Sequence, residues 1–584
     1  MTGAEYIAKF LEKQNSKNIF VVTGGACAFM IDAIARNPNL NYYPFQHEQS
    51  VAMAADSLWK IDKKVGVSIV TSGPGATNLI TGIACSYFDS IPTLHITGQV
   101  NQNEKEIYAG ANVRQAGFQE TNIVDMVKPI TKYAVQVTTG EELKVELAKA
   151  FSIAISGRMG PVLLDVPMDI QQLEVGEDII EPDVYKEEIF KTDFDRIRKI
   201  ILNHFLDADR PLVLFGAGVG LSGKSDTVLD FINANNIPFV TSWNGSGFIN
   251  HNEDNYYGSI GVYGNRGSNF LLQSADKILV VGSRLDNRQR GNVKKFAPLA
   301  HTLVLDIDQG ELDKHKNDKN YKCERFDFRN SNPVFNDLDL ILGNTSPWLE
   351  YCKKIKNKYF GICPSSSAKK YGSLNPYDVV KDINSKIKDD AIVTVDDGAN
   401  LCWVFQAFHR TNQIIYTAGG NSPMGYSFPA AIGAAIHSHD RQIICFTGDG
   451  SIQMNIQDLQ TMSHLKLPIK LFILNNFGYG IIKQFQDTWF EGRYEATGNG
   501  YSQPDFEKIA HAYELGYRKI ESMKDILKSD LDSNSGIIFD VILHPNTLIE
   551  PKIDSGNPLH NMFPYLELND QSFEHKYIKE LNEK

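Results

Sequence analysis

Three times along this chain, short runs of β-branched and apolar residues alternate with segments of helical periodicity, and few architectures accommodate that alternation. From residue 1 to about 175 the order is NIFVVTGG, FMIDAIARN, VGVSIVTSGPG, ATNLITGIACSYF, TLHITGQV and GPVLLDVP. A second block, 190–345, carries RPLVLFGAGVG, IPFVTSWNGSG, DKILVVGSRL and HTLVLDID. A third, 376–545, carries AIVTVDDG, QIIYTAGG, QIICFTGDG, IKLFILNN and GIIFDVIL. Strands alternating with helices form βαβ units on parallel sheets. The acidic LEVGEDIIEPDVYKEE and the charged, then Ser-rich WLEYCKKIKNKYFGICPSSSAKKYGS interrupt the pattern and read as connections. The expectation is an α/β protein of three doubly wound parallel-sheet domains, 1–175, 190–345 and 376–545. A tail of little periodicity, 546–584, should wrap or move.

The length, 584 residues, is enough for about three or four domains with cores large enough to dispense with disulfides. Fifty-eight Lys and Arg against 70 Asp and Glu give a net charge of −12, and no segment gathers basic residues into a nucleic-acid track. Seven widely spaced cysteines with no CxxC pair fit reduced, buried thiols, which points to the cytoplasm. The N-terminus reads as an amphipathic helix, and no apolar run reaches the length of a membrane span.

The most informative stretch is IICFTGDGSIQMNIQDLQTMSHLKLPIKLFILNN. Gly448, Asp449 and Gly450 end one apolar strand, Asn475 and Asn476 end the next, and the 24 residues between Gly450 and Asn475 accommodate a turn, a helix and a strand. Apolar Ile452, Ile456, Leu459 and Met462 give that helix a buried stripe. The segment is therefore one crossover between neighbouring parallel strands, whose ends share the sheet edge where open α/β sheets bind ligands. Asp449 offers a hard carboxylate oxygen and Asn476 an amide oxygen, a pair suited to Mg²⁺. Gly450 and Ser451 stand at the helix start, where free N–H groups and the dipole favour a diphosphate. The bland alternative is a tight GDG turn and an Asn-Asn cap.

With these residues the sequence resembles the thiamine diphosphate enzymes of the pyruvate decarboxylase and acetolactate synthase type. The resemblance implies Asp449, Asn476 and the main chain of Gly478 as metal ligands, with Gly448, Gly450, Ser451, Gly480 and Ile481 around the cofactor. It also implies a catalytic glutamate in the first domain, which FQHEQSVAMAADS supplies as Glu48, and a nearby cofactor contact at Gly25. A carboxyl bonded to the aminopyrimidine ring stabilises the imino tautomer that deprotonates thiazolium C2; the bland reading is a glutamate at a helix start. TSGPGATNLITGIACSYFDSIPTLHITGQ is close to acetolactate synthase text. Met424 matches the apolar residue that props the cofactor in its bent form, and Gly398, Ala399 and Asn400 match the segment closing over the diphosphate, although the family more often has Gln or His where Asn400 stands. A homodimer or homotetramer with active sites at the subunit interface is implied.

In the middle domain, GSRLDNRQRG and GSIGVYGNRGSN resemble the FAD-lining segments of acetolactate synthases. The implied flavin contacts are Gly216, Ala217, Gly218, Gly261, Val262, Tyr263, Gly282, Arg284, Asn287, Arg288 and Asp306, with a structural role for FAD. The family's Phe-Gln-Glu is present as Phe118, Gln119 and Glu120, making Phe118 and Gln119 candidates for holding substrate. Three departures concern the acceptor. The 17 residues between Val100 and Phe118 enlarge a loop, Met168 stands where the family has a lysine, and Ile481 and Phe485 replace a methionine and a tryptophan. The expected activity is decarboxylation of pyruvate and transfer of the two-carbon unit to a keto acceptor. The alternatives are a branched-sugar synthase acting on a nucleotide-activated keto-deoxysugar and a pyruvate oxidase or decarboxylase.

Overall fold

The computed structural model describes residues 1–106, 113–182, 190–362, 366–567 and 573–579. The enlarged loop after Val100 and Cys363 fall partly or wholly outside them. The first sheet comprises β1 (Asn18–Val22), β2 (Asn41–Pro44), β3 (Gly66–Val70), β4 (Thr93–Gln99), β5 (Tyr133–Gln136) and β6 (Val162–Pro167). The second comprises β7 (Pro211–Phe215), β8 (Phe239–Thr241), β9 (Tyr256–Ser259), β10 (Lys277–Val281), β11 (His301–Asp306) and β12 (Tyr321–Arg325). The third comprises β13 (Ile392–Val395), β14 (Ile414–Tyr416), β15 (Ile443–Gly448), β16 (Lys470–Asn475), β17 (Gly516–Ile520) and β18 (Ile537–Ile542).

All three sheets are six-stranded and their paired strands run parallel. The inner strands are buried on both faces, which is why they are continuous apolar runs, whereas edge strands such as β2 and β12 are partly exposed. In β1, Phe20 packs into one core while Ile19 and Val21 pack into another. In β7, Leu212 and Leu214 face one cluster and Val213 and Phe215 the other. The first and third sheets have equivalent orders, β2-β1-β3-β4-β6-β5 and β14-β13-β15-β16-β18-β17. The middle sheet, β12-β11-β10-β7-β8-β9, has the order of dinucleotide-binding folds. Each therefore has a central point where the chain reverses its direction of travel across the sheet, β1/β3, β7/β10 and β13/β15; the first and third sheets reverse again at their edge, between β5 and β6 and between β17 and β18. Loops leaving adjacent strands there part to opposite faces and open a crevice.

The first and third domains share a core. Helix Glu48–Asp62 lies against helix Ser427–His437, with Val51, Ala52, Ala54 and Ala55 meeting Ala430, Ala431 and Ala434 in one cluster. A Cβ at Gly433 would stand 2.5 Å from the Ala54 carbonyl oxygen, so only glycine lets the helices close to this distance.

One expectation changes and one is narrowed. The crossover after Gly450 is not one helix but two 3₁₀ turns, Ile452–Met454 and Ile456–Asp458, followed by the short helix Leu459–His464. Asn455 causes the break: its backbone leaves the helical region (φ −135°, ψ 29°), and its side chain donates to Gly425 O (2.7 Å) and accepts from Gln49 Nε2 (3.1 Å). Of the two readings of the tail, the described part wraps, packing on the middle and third domains. Lys552–Ile553 and Met562–Phe563 pair antiparallel as β19 and β20, Arg266 donates to the carbonyls of Met562 and Pro564, and Gln484 pairs with both the N–H and the carbonyl of Ile549.

Candidate cofactor and metal sites

At the β13/β15 switch point, loops 396–400 and 448–451 meet. Gly398 has φ +118°, a conformation open to glycine, and Asn400 is buried with its Oδ1 turned toward Gly398 and Gly448 and its Nδ2 bonded to Asp396 O (2.9 Å). Ser451 Oγ donates to Asp397 O (3.2 Å), tying the two loops together. Gly450 abuts the Tyr479 ring, and Gly480 lies against Asn476 and Ala399, so the β16 loop completes the same pocket. Ile481 packs into the domain core behind it. Because the crossover begins with a 3₁₀ turn, a diphosphate here would meet turn amides without the dipole of a long helix.

Asp449 is 1% exposed. Its Oδ2 accepts from Gly478 N (2.9 Å) and from the Tyr501 hydroxyl (2.6 Å). The Asn476 amide faces Asp449 Oδ1 at 3.3 Å and Gly478 O at 3.0 Å. With its nitrogen inward it would hydrogen-bond both; with its oxygen inward, three oxygens share a space with no proton between them. Octahedral Mg²⁺ with bonds of about 2.1 Å places neighbouring ligand oxygens about 3 Å apart. The residues therefore fit the cation, which selects the oxygen-inward amide. Burial pushes the Asp449 carboxyl up to about 6, the burden that a charge without its counterion carries.

At the β1/β3 switch point, Gly25 begins a short 3₁₀ turn and faces open space, and Ala26 N donates to Thr71 Oγ1 (3.3 Å). Glu48 opens its helix beneath this loop. It is 9% exposed and accepts from Asn78 Nδ2 (2.9 Å), while the extended His47 caps the helix through Nδ1. Its neighbours fasten it to the third domain: Gln46 N donates to Asp458 Oδ1 (2.8 Å), and Gln49 reaches Asn455. The backbone of Gln119, left-handed at φ +63°, packs on Gly73, and Phe118 is 83% exposed beside it. Glu48, Gly25, Phe118 and Gln119 thus gather at one sheet edge.

At the β7/β10 switch point, Gly216 and Gly282 follow the two strands. A Cβ on Gly216 would stand 2.1 Å from Gly282 O, and Gly218 N donates to that oxygen (3.0 Å). In front lies a cavity of about 710 Å³ lined by Ala217, Gly218, Gly282, Arg284, Asn287, Arg288 and Asp306, with walls from the first and third domains. The close glycines, the basic side chains and a carboxylate at a strand end fit a dinucleotide. Burial pushes Asp306 up to about 6. Gly261, Val262 and Tyr263 do not line this cavity. Gly261 and Val262 instead support the Arg288 backbone, through Val262 N to Arg288 O (2.8 Å), and Ile260 reaches the cavity in their place. Gly216 likewise sits behind the lining.

Sequence reasoning passed over the segment joining the last two sites. Residues 419–422 line the cavity, and 424 is the expected thiamine prop. Gly420 N donates to Asp89 (2.8 Å), Ser422 Oγ to Asp397 (2.5 Å), and Gly425 N and Ser427 Oγ to Asp396 (both 2.7 Å). Lys60, its side chain 7% exposed, joins Asp56, Asp89, Thr417 O and Tyr426. A repeated Asp-Asp before Gly398 was the available sequence signal for Asp396 and Asp397; Lys60 and Asp89 had none.

Comparison with known proteins finds three family models in succession: thiamine pyrophosphate enzyme, N-terminal TPP binding domain, over residues 1–126; central domain, over 199–321; and C-terminal TPP binding domain, over 396–541. The probable acetolactate synthase large subunit of Methanococcus aeolicus is 31% identical over 593 residues, covering 96% of this chain and 95% of that protein. The acetolactate synthase isozyme 2 large subunit of Escherichia coli K12 is 31% identical over 545 residues, 91% of this chain and 93% of its own. The acetolactate synthase large subunit of Lactococcus lactis is 30% identical over 573 residues, covering 95% of each.

Proposed function

The chain belongs to the thiamine pyrophosphate enzymes and, within them, to the acetolactate synthase large-subunit family, and on that premise we propose that it decarboxylates pyruvate and transfers the two-carbon unit to a keto acceptor. It is an acetolactate synthase-like carboligase dependent on thiamine diphosphate. The observation that carries the reading is the oxygen set of Asp449, Asn476 and Gly478 at the edge of the third sheet.

Thiamine diphosphate, when bound, supplies the nucleophilic carbon that takes up the keto acid and retains the two-carbon fragment after CO₂ leaves. The chain's own residues do the rest. Asp449, Asn476 and Gly478 O would hold Mg²⁺, and Gly398, Ala399, Asn400, Gly448, Gly450, Ser451 and Gly480 would cradle the phosphates with backbone and amide groups. Met424 would support the cofactor. Glu48 holds a proton at the aminopyrimidine ring nitrogen, and its burial keeps that proton from bulk water. Glu48 accepts a hydrogen bond from Asn78 of its own domain, and the site is inferred to be completed across the interface of a homodimer or homotetramer. Phe118 and Gln119 frame the substrate. FAD would be held in the central cavity by Ala217, Gly218, Arg284, Asn287 and Arg288 in a structural role, since decarboxylation and carboligation need no net electron transfer.

The test is pyruvate turnover with and without added acceptors, with products identified by mass and oxygen followed. Acetolactate from pyruvate alone is the expected result. Turnover only with a nucleotide-activated keto-deoxysugar would move the acceptor to a sugar, and oxygen consumption would replace this reading with an oxidase.

A further inference from the structure

The two carboxylate oxygens of Asp449 have different surroundings. Oδ1 faces the Asn476 amide and, through it, Gly478 O, whereas Oδ2 is occupied by two donors, the Gly478 N–H at 2.9 Å and the Tyr501 hydroxyl at 2.6 Å. The first donor is main chain and comes with the metal loop. The second is a side chain from a different segment, the irregular stretch 494–502 that follows helix Gly480–Phe490.

That stretch lies over the metal loop and is fastened to it at several points. Tyr479 N donates to Thr497 O (3.3 Å), a Cβ on Gly478 would stand 2.4 Å from Thr497 O, and Gln453 donates to Asp449 O (3.0 Å) and to Ser502 O (3.5 Å). The Tyr501 ring meets Tyr479 edge-on, centroids 5.0 Å apart, and Tyr479 in turn packs on Gly450 of the diphosphate turn. A carboxylate whose second oxygen already has two donors cannot swing to chelate a cation with both oxygens, and one-oxygen ligation is what a small octahedral ion requires. Partners of this kind typically change metal affinity by about 10–100-fold when removed.

We propose that Tyr501 is the positioning residue of the metal centre: its hydroxyl locks Asp449 so that Oδ1 alone is presented to Mg²⁺, and through the same bond the segment 494–502 is held down by an intact metal site. The inference rests on the metal reading of Asp449, Asn476 and Gly478 and adds to it a ligand-orienting group.

The experiment titrates full-length protein with Mn²⁺ in the presence of thiamine diphosphate, reading free Mn²⁺ by electron paramagnetic resonance. It compares the unaltered chain with Tyr501→Phe and Asp449→Ala. Tyr501→Phe removes one oxygen and keeps the ring on Tyr479. The expected result is a loss of Mn²⁺ affinity of about tenfold or more, with kcat largely recovered at saturating metal, and limited proteolysis within 491–505 that Mg²⁺ slows in the unaltered protein but not in the variant. Unchanged Mn²⁺ affinity in Tyr501→Phe, with Asp449→Ala defective, overturns the role of Tyr501 alone. Unchanged affinity in Asp449→Ala overturns the metal centre itself and this proposal with it.

Discussion

Replacing Glu48 by Gln keeps the shape and the hydrogen bond from Asn78 but removes the acid that holds a proton at the aminopyrimidine. Turnover should fall by about 10²–10⁴-fold while thermal unfolding and thiamine diphosphate affinity stay near those of the unaltered protein; steady-state kinetics beside calorimetry check this. Asp306 makes a pH prediction. Its carboxyl is raised to about 6 by burial, so it is protonated below that value and charged above it. Ribose hydroxyls donate better to the charged form, so binding favours loss of the proton. Flavin affinity should therefore rise by up to about tenfold between about pH 5 and pH 7, and Asp306→Asn should flatten the dependence in a fluorescence titration. Both residues were reached from the sequence through the family resemblance carried by the motifs around them, not from local spacing alone. Tyr501 was not, because its partner Asp449 is 52 residues away and nothing local marks the pair.

Among the elements, the strap 417–427 has the most to lose from a small change. It forms a wall of the central cavity at 419–422 and reaches Met424 two residues later, held by Asp89, Asp397 and Asp396 in turn. Ser422 is left-handed at φ +54° and is kept there by its bond to Asp397. A bond to a charged partner contributes about 1.5–3 kcal/mol, so Ser422→Ala should weaken both thiamine diphosphate and flavin by about tenfold or more. Ser422→Gly, which relieves the backbone but also lacks the hydroxyl, should restore at most part of it, as isothermal titration of each cofactor would report. The crossover from β15 to β16 shows the limit of periodicity. Its apolar spacing suits a helix, yet Asn455 bonds to Gly425 and to Gln49 of the first domain, and a residue recruited by two distant segments breaks the helix that local pattern favours.

For the molecule as a whole, Phe118, Phe485 and Trp489 are 83%, 52% and 54% exposed in the single chain, an unusual cost for large apolar groups around a candidate site. Sedimentation should give at least a dimer, and Trp489→Asp should shift it toward the monomer with a matching loss of activity. Purified protein should be yellow and release FAD on denaturation; a colourless protein would refute the flavin assignment. Among the described residues no helix is long and apolar enough to cross a membrane, and the six described cysteines are free. The sequence alone determined the strand-and-helix alternation, the parallel βαβ character of each block and the Asp449–Asn476 spacing, because these depend on neighbours within one crossover. Tertiary structure decided that all three candidate sites lie at switch points, that Gly261, Val262 and Tyr263 support the cavity without lining it, and that the tail is bolted to the middle domain. Those outcomes depend on strand order and on contacts between segments hundreds of residues apart, and the free energy of such contacts comes from burial and hydrogen bonding that exist only once the chain has closed on itself.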